Sequence, residues 1–309
     1  MTGTAGAQAR RGGGALATLA ALALAWGCNW PAMKLVFAEF PVWGFRGFSG
    51  VLAGLAVLAF AAWRGGAIRP PDARAWRWLF VAGILNVTIW QVTTAYGVQL
   101  LGSGHAAVLA FTMPLWSGLL GWAVLGERID GRFALALAMG MAGVALLSFR
   151  GGGFAAADLP GIGFMFAAAI GWALGTQYAK RGRPALPMLA TTGWQLLLGS
   201  LPIVALWPMI EPLRWPQASL GAWGAGLYVT AIALVVGYIS WFRLVEILPS
   251  HVASLSSIAV PATAMVSGAV LLGEALGARE IAALCLMLGA LALVLVVPAL
   301  LQRRRPAPD

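Results

Sequence analysis

Two basic residues, Lys34 and Arg46, stand inside apolar stretches of the chain where charge is scarce, and they are the side chains best equipped for chemistry. An ionisable group within a membrane-spanning helix costs roughly 2.5–3.5 kcal/mol on insertion scales, so it is kept where it is paired, faces water or performs a function. Lysine offers a point charge and arginine a planar fork of donors, so together they suit a carboxylate or another anionic group. No acid is placed mid-span beside either one. The competing readings are snorkelling toward the outer interface and, for Arg46, bonds to helix-end carbonyls or to Glu39.

Polar and aromatic residues recur around these cations at helical spacing. Trp26, Asn29, Trp30 and Met33 share a face with Lys34; Asn86, Trp90 and Thr93 form a second stripe, Trp172 and Thr176 a third, and Thr191, Trp194 and Gln195 a fourth. Ser250, Ser254 and Ser257 lead to Pro261 at three- and four-residue steps. A cavity walled by indoles favours an amphipathic or aromatic solute, or a cation over the ring face. The expected substrate-binding set is therefore Lys34, Arg46, Trp26, Asn29, Trp30, Asn86, Trp90, Trp172, Thr176, Gln195 and Ser257. Small and hydroxyl residues also pack helices against one another, so each stripe has a packing reading beside the binding one. Pro114 and Pro261 each remove a helix hydrogen bond and are expected gating bends.

Other chemistries lack their parts. With two histidines, two cysteines and no mid-span acid, neither a metal site nor a catalytic triad can be assembled, and no cofactor is implied. Ser103 and His105 are too close along one helix to face each other. Glu127 and Glu274 each follow a glycine that ends a helix, and are expected to pair locally, Glu127 with Arg128 or Arg132 and Glu274 with Arg279.

The elements that must position these residues are membrane helices. The 309-residue chain is 61% hydrophobic and 10% charged, with a mean hydropathy of +0.85. Soluble domains carry roughly 45–50% apolar and about 25% charged residues. Apolar runs predict spans at about 16–37, 41–63, 76–96, 104–125, 133–149, 161–180, 188–208, 219–242, 251–272 and 280–300. A cleavable signal peptide is disfavoured for the first run, which continues past a normal signal core into Trp26–Phe37. With the amino terminus inside, fifteen Lys and Arg residues fall on the inner side and three, Arg150, Arg214 and Arg279, on the outer. That bias predicts ten spans with both termini cytoplasmic in an inner membrane. It also makes the net charge of +10 an orientation signal and no indication of a nucleic-acid partner.

The chain repeats itself. A shift of 147 residues lays Ser103, Pro114, Gly121, Gly126, Glu127 and Arg132 on Ser250, Pro261, Gly268, Gly273, Glu274 and Arg279, and a shift of 146 lays Trp26 and Lys34 on Trp172 and Lys180. Five spans per half is an odd number, so the second copy is expected to enter the membrane upside down. The expected organisation is a tail at 1–15, a first five-helix repeat at 16–149, a linker at 150–160, a second repeat at 161–300 and a basic tail at 301–309. Inverted repeats build transporters whose substrate lies near the midplane between the halves.

Trp26-Gly27-Cys28-Asn29-Trp30 with Lys34, Phe45-Arg46, and Pro114 followed by Leu125-Gly126-Glu127 resemble the first EamA domain of the drug/metabolite transporter superfamily. Pro261 with Leu272-Gly273-Glu274 resembles the second. The resemblance implies an all-α protein of ten helices in two inverted halves, a central cavity, and transport of a small metabolite, an amino acid or related compound, frequently by export. The implied partners are that small-molecule substrate and the bilayer, with the protein a monomer or homodimer. A channel or a non-transporting scaffold is the alternative.

Overall fold

A computed structural model describes residues 18, 20–126, 129–150, 153–154, 156–180, 182–213, 217–241 and 250–293. Residues 20–27 (α1) run through a single turn at Cys28 into Asn29–Glu39 (α2), and Val42–Trp63 (α3) follows. Ala73–Gly83 (α4) continues through a π-helical stretch, Ile84–Thr88, into Ile89–Leu101 (α5). Ser103–Ala110 (α6) and Met113–Leu125 (α7) are separated by a turn at Phe111–Thr112, and Gly131–Ser148 (α8) closes the first half. The second half comprises Leu159–Lys180 (α9), Met188–Ile210 (α10) and Leu220–Leu227 (α11), which continues through a second π stretch, Tyr228–Val236, into residues 237–241 (α12). Ser250–Leu272 (α13) and Ala278–Leu291 (α14) complete it. Among the described residues, extended pairing is confined to a two-residue hairpin, Phe149–Arg150 against Gly153–Phe154.

Among the described residues, six helical stretches are long and apolar enough to cross a membrane: Val42–Trp63, Ala73–Leu101, Ser103–Ala123, Ala156–Ala179, Met188–Ile210 and Leu220–Trp241. Gly131–Leu147 and Ala259–Leu272 are shorter apolar helices. Their ends are set by local chemistry. Asp72 caps α4 by accepting from the Ala75 N–H at 2.7 Å, and Ser219 caps α11 by accepting from Ala222. Gly126 and Gly273, related by the repeat, both adopt left-handed backbone (φ 67° and 64°) just past α7 and α13, a conformation that glycine takes without steric cost.

The packing of one half against the other is symmetric under their exchange. α3 packs on α10, α6 on α13 and α8 on α14, each helix against its own repeat counterpart. The other contacts between the halves come in exchanged pairs: α5 with α9 and α11 with α2; α7 with α9 and α13 with α2; α4 with α10 and the second π stretch with α3. The two π stretches occupy corresponding places in the halves.

Close approach of α3 and α10 depends on a row of glycines. Gly44 lies against Trp207, Gly47 against Val204, Gly50 against Ser200, and Gly54 against Gly193 and Leu197. Gly171 and Gly175 of α9 admit Ile89 and Asn86 in the same way. Gly50 with Gly54, and Gly171 with Gly175, thus face helices of the same chain.

Candidate functional site

Arg46 is carried by the buried face of α3, whose glycines bring α10 close on one side while α2 and α5 flank the other. Only 3% of the residue is exposed. Its Nη1 donates to Gln91 Oε1 at 3.0 Å and its Nη2 to Thr94 Oγ1 at 3.2 Å, with the Met33 sulfur as a further contact. The guanidinium carbon stands 5.1 Å from the centre of the Phe37 ring. None of these partners is a carboxylate, so among the described residues the positive charge is solvated by neutral dipoles and a π face. Three polar atoms of this cluster, Arg46 Nε, Gln91 Nε2 and Ser200 Oγ, have no hydrogen-bond partner among the described residues. The competing readings, bonds to helix-end carbonyls or pairing with Glu39, find no support among the described residues; Glu39 accepts instead from the Ser219 N–H and hydroxyl.

Aromatic residues continue from this cluster. Trp30 meets Trp90 edge-on at 6.5 Å, and Trp90 meets Trp172 at 4.9 Å. Trp26 packs on Tyr238 and Trp241, and its indole N–H donates to the Ala233 carbonyl at 3.0 Å. That carbonyl belongs to the second π stretch, where the widened helix leaves backbone oxygens to be satisfied from outside. Asn29 is half-buried, and its Oδ1 has no partner among the described residues. Asn86 donates to Gln195 at 3.5 Å, and Thr176 bonds back to the Trp172 carbonyl of its own helix. The Ser257 side chain, like that of Lys180 and all of Glu127, lies outside the described residues.

The two prolines differ. Pro114 sits at the second position of α7, immediately after the Phe111–Thr112 break, where its missing N–H costs nothing. Helix α13 runs through Pro261 without an interruption.

Lys34 makes its contact apart from the Arg46 cluster. Its Nζ donates to Glu274 Oε1 at 2.8 Å. The expectation of a lysine with no acid nearby, and of Glu274 paired with Arg279, is corrected here. Just past the left-handed turn at Gly273, Glu274 faces α6 and α2. The same carboxylate accepts from Ser103 N at 2.8 Å, Ser103 Oγ at 2.7 Å and Gly104 N at 3.1 Å, capping the first turn of α6. Burial, the largest influence, would raise the Glu274 pKa, but the donors from Lys34, Ser103 and Gly104 together hold it down to about 2.

Two other carboxylates at this end act alike. Glu211, just past α10, accepts from the N–H groups of Val42, Trp43 and Gly44 at the start of α3. Glu39, at the end of α2, caps Ser219 at the start of α11. Each of the three ties a helix N-terminus to a carboxylate of the other half.

A buried, polar-lined centre between two matching sets of apolar helices defines a multi-pass membrane protein. The EamA-like transporter family model matches residues 13–149 and 159–296, one match per half, and the chain belongs to that family. It is similar to the Bacillus subtilis uncharacterized transporter YvbV, at 27% identity over 89% of this chain and 90% of that one. It is also similar to protein PecM of Dickeya dadantii, at 28% identity over 77% of this chain and 80% of PecM. A solved protein crystal structure with 21% identity superposes with a TM-score of 0.65, covering 94% of this chain and 98% of its own, which bears on the fold. The protein is a membrane transporter and not an enzyme.

Sequence reasoning missed Gln91, Thr94, Ser103, Gly104 and Glu211. Gln91 and Thr94 stand three residues apart beside Trp90, so their shared face was readable; which helix they meet was not. Glu274 was visible as the counterpart of Glu127, and Lys34 as the counterpart of Lys180, both toward the outer ends of their predicted spans.

Proposed function

We propose that this chain is a secondary carrier that moves a small amphipathic metabolite bearing a carboxylate, an amino acid or related compound, across the inner membrane, with export its direction. Arg46 carries the reading. A buried guanidinium held by neutral partners keeps its charge available, and a substrate carboxylate entering the cluster supplies the missing counter-ion through a bidentate pair. The Trp30–Trp90–Trp172 row offers rings for the apolar part of the substrate, and Asn29, Asn86, Gln195, Thr176 and Ser257 offer polar contacts around it. Lys34 is assigned a different role, as part of a clasp that holds the outer end shut.

Ten spans in two inverted five-helix halves, with both termini cytoplasmic, account for the exchange-symmetric packing, because a two-fold axis in the membrane plane relates such halves. Alternating access then consists of rocking one half against the other, with the three carboxylate caps released as the outer end opens. Pro114, beside the break in the fourth span, and Pro261 are the proposed bends. Reconstituted protein should show saturable counterflow of a carboxylate-bearing substrate. Flux that never saturates would favour a channel, and no flux with any solute a scaffold.

A further inference from the structure

At the opposite end of the bundle from the carboxylate caps, the start of α4 and the end of α9 enclose a cleft of about 270 Å³ lined by Arg74, Arg77, Trp78, Tyr178 and Gly182. Arg74 and Arg77 are three residues apart, so both guanidinium groups project from one side of the first turns of α4. Neither takes part in a salt bridge among the described residues. Asp72, the nearest acid in sequence, has its Oδ1 committed to the Ala75 N–H. The helix terminus adds its own partial positive charge. Behind the arginines, Trp78 is 7% exposed, stacks on Tyr178 at 5.8 Å with the rings 20° apart, and has an indole Nε1 with no hydrogen-bond partner among the described residues. Gly182 has a left-handed backbone (φ 140°) and nothing within 4 Å of where a side chain would begin, which leaves the rim of the cleft open.

We infer that this cleft binds a phosphate group, with Arg74 and Arg77 taking its oxygens and the Trp78–Tyr178 pair forming the wall. Planar guanidinium groups match phosphate geometry, and basic pockets between helices at the cytoplasmic end of a membrane bundle suit anionic lipid headgroups. A soluble phosphate compound presents the same chemistry, so two sources share one site. The inference is independent of the carrier reading, since it involves neither Arg46 nor the carboxylate caps.

The test uses the purified full chain in neutral detergent, titrated with phosphatidylglycerol, phosphatidylcholine or inorganic phosphate, with bound ligand counted by native mass spectrometry. Arg74→Gln/Arg77→Gln is compared with Arg64→Gln/Arg69→Gln, which removes the same charge elsewhere on the same end. The first pair should weaken phosphatidylglycerol binding about thirtyfold, and the second should leave it unchanged, with both variants melting as the parent does in phosphatidylcholine. Should the first pair fail to fold, each single variant should show about a fivefold loss. Arginine-dependent binding of inorganic phosphate without phosphatidylglycerol would support the same site with a soluble ligand. Equal loss in both double variants, or no loss in the first, would overturn the inference.

Discussion

Lys34 Nζ lies 2.8 Å from Glu274 Oε1, although 240 residues separate the two in sequence. The pair joins the first span of one half to the end of α13 in the other, and the same carboxylate caps α6. Removing it leaves a partly buried ammonium and several helix-end N–H groups without their acceptor. Glu274→Gln keeps the shape and should lower stability by about 1–2 kcal/mol, read as a drop in melting temperature in detergent. Lys34→Met should cost less, because the lysine side chain is 39% exposed and screened by solvent.

The clasp has a defined pH dependence. A carboxylate held below its ordinary range contributes stability that is present in full above that range and lost as pH falls through its folded value. Because Glu274 is held down to about 2, closure of this end should be constant from about pH 8 to about pH 5 and weaken only toward that value. A cysteine introduced at Leu276, on the exposed loop beside Glu274, reports it through its labelling rate at a fixed fraction of reactive thiolate. A labelling rate that stays flat as the pH falls below about 5 would show that Glu274 titrates as an ordinary carboxylate and is not clasped.

Much of this architecture is legible in the sequence. The run predicted at 41–63 is α3, Val42–Trp63, and the Gly126 and Gly273 repeat positions are the left-handed turns that end α7 and α13. Apolar runs report helices because lipid and core select the same residues along a whole span. The breaks at Cys28 and at Phe111–Thr112 and the two π stretches left no comparable mark, since each depends on how a neighbouring helix satisfies the backbone. Glu274 illustrates the limit. Arg279 is its nearest cation in sequence, and only the docking of the halves, with the turn at Gly273, brings Lys34 closer.

That turn is itself testable. Gly273→Ala places a side chain at φ 64°, which costs roughly 1–2 kcal/mol for an L-residue. The clasp should loosen with it, so Leu276→Cys labelling should speed up in the Gly273→Ala background. Glu274→Gln added to Gly273→Ala should have little further effect, because the two changes act on one interaction.

Gly50 tests the support beneath Arg46. A methyl group there would run into the Ser200 hydroxyl and the Gln91 amide, and Gln91 is the residue that holds Arg46 Nη1. Gly50→Ala should destabilise the fold by about 1–3 kcal/mol and raise KM for substrate. Gly163→Ala, at a helical glycine with nothing within 4 Å of the added carbon, should do neither.

Arg46 decides the account. In liposomes, counterflow should saturate for an amino acid or related carboxylate and fall sharply for the matching amine that lacks the carboxyl group. Arg46→Gln, with the fold verified by its melting curve, should lower kcat/KM for the carboxylate by about a hundredfold, the loss expected for one partner of a buried charge pair, and should erase the preference over the amine. Unchanged kcat/KM, or a preference that survives the substitution, would contradict the assignment of Arg46 as the group that receives the substrate.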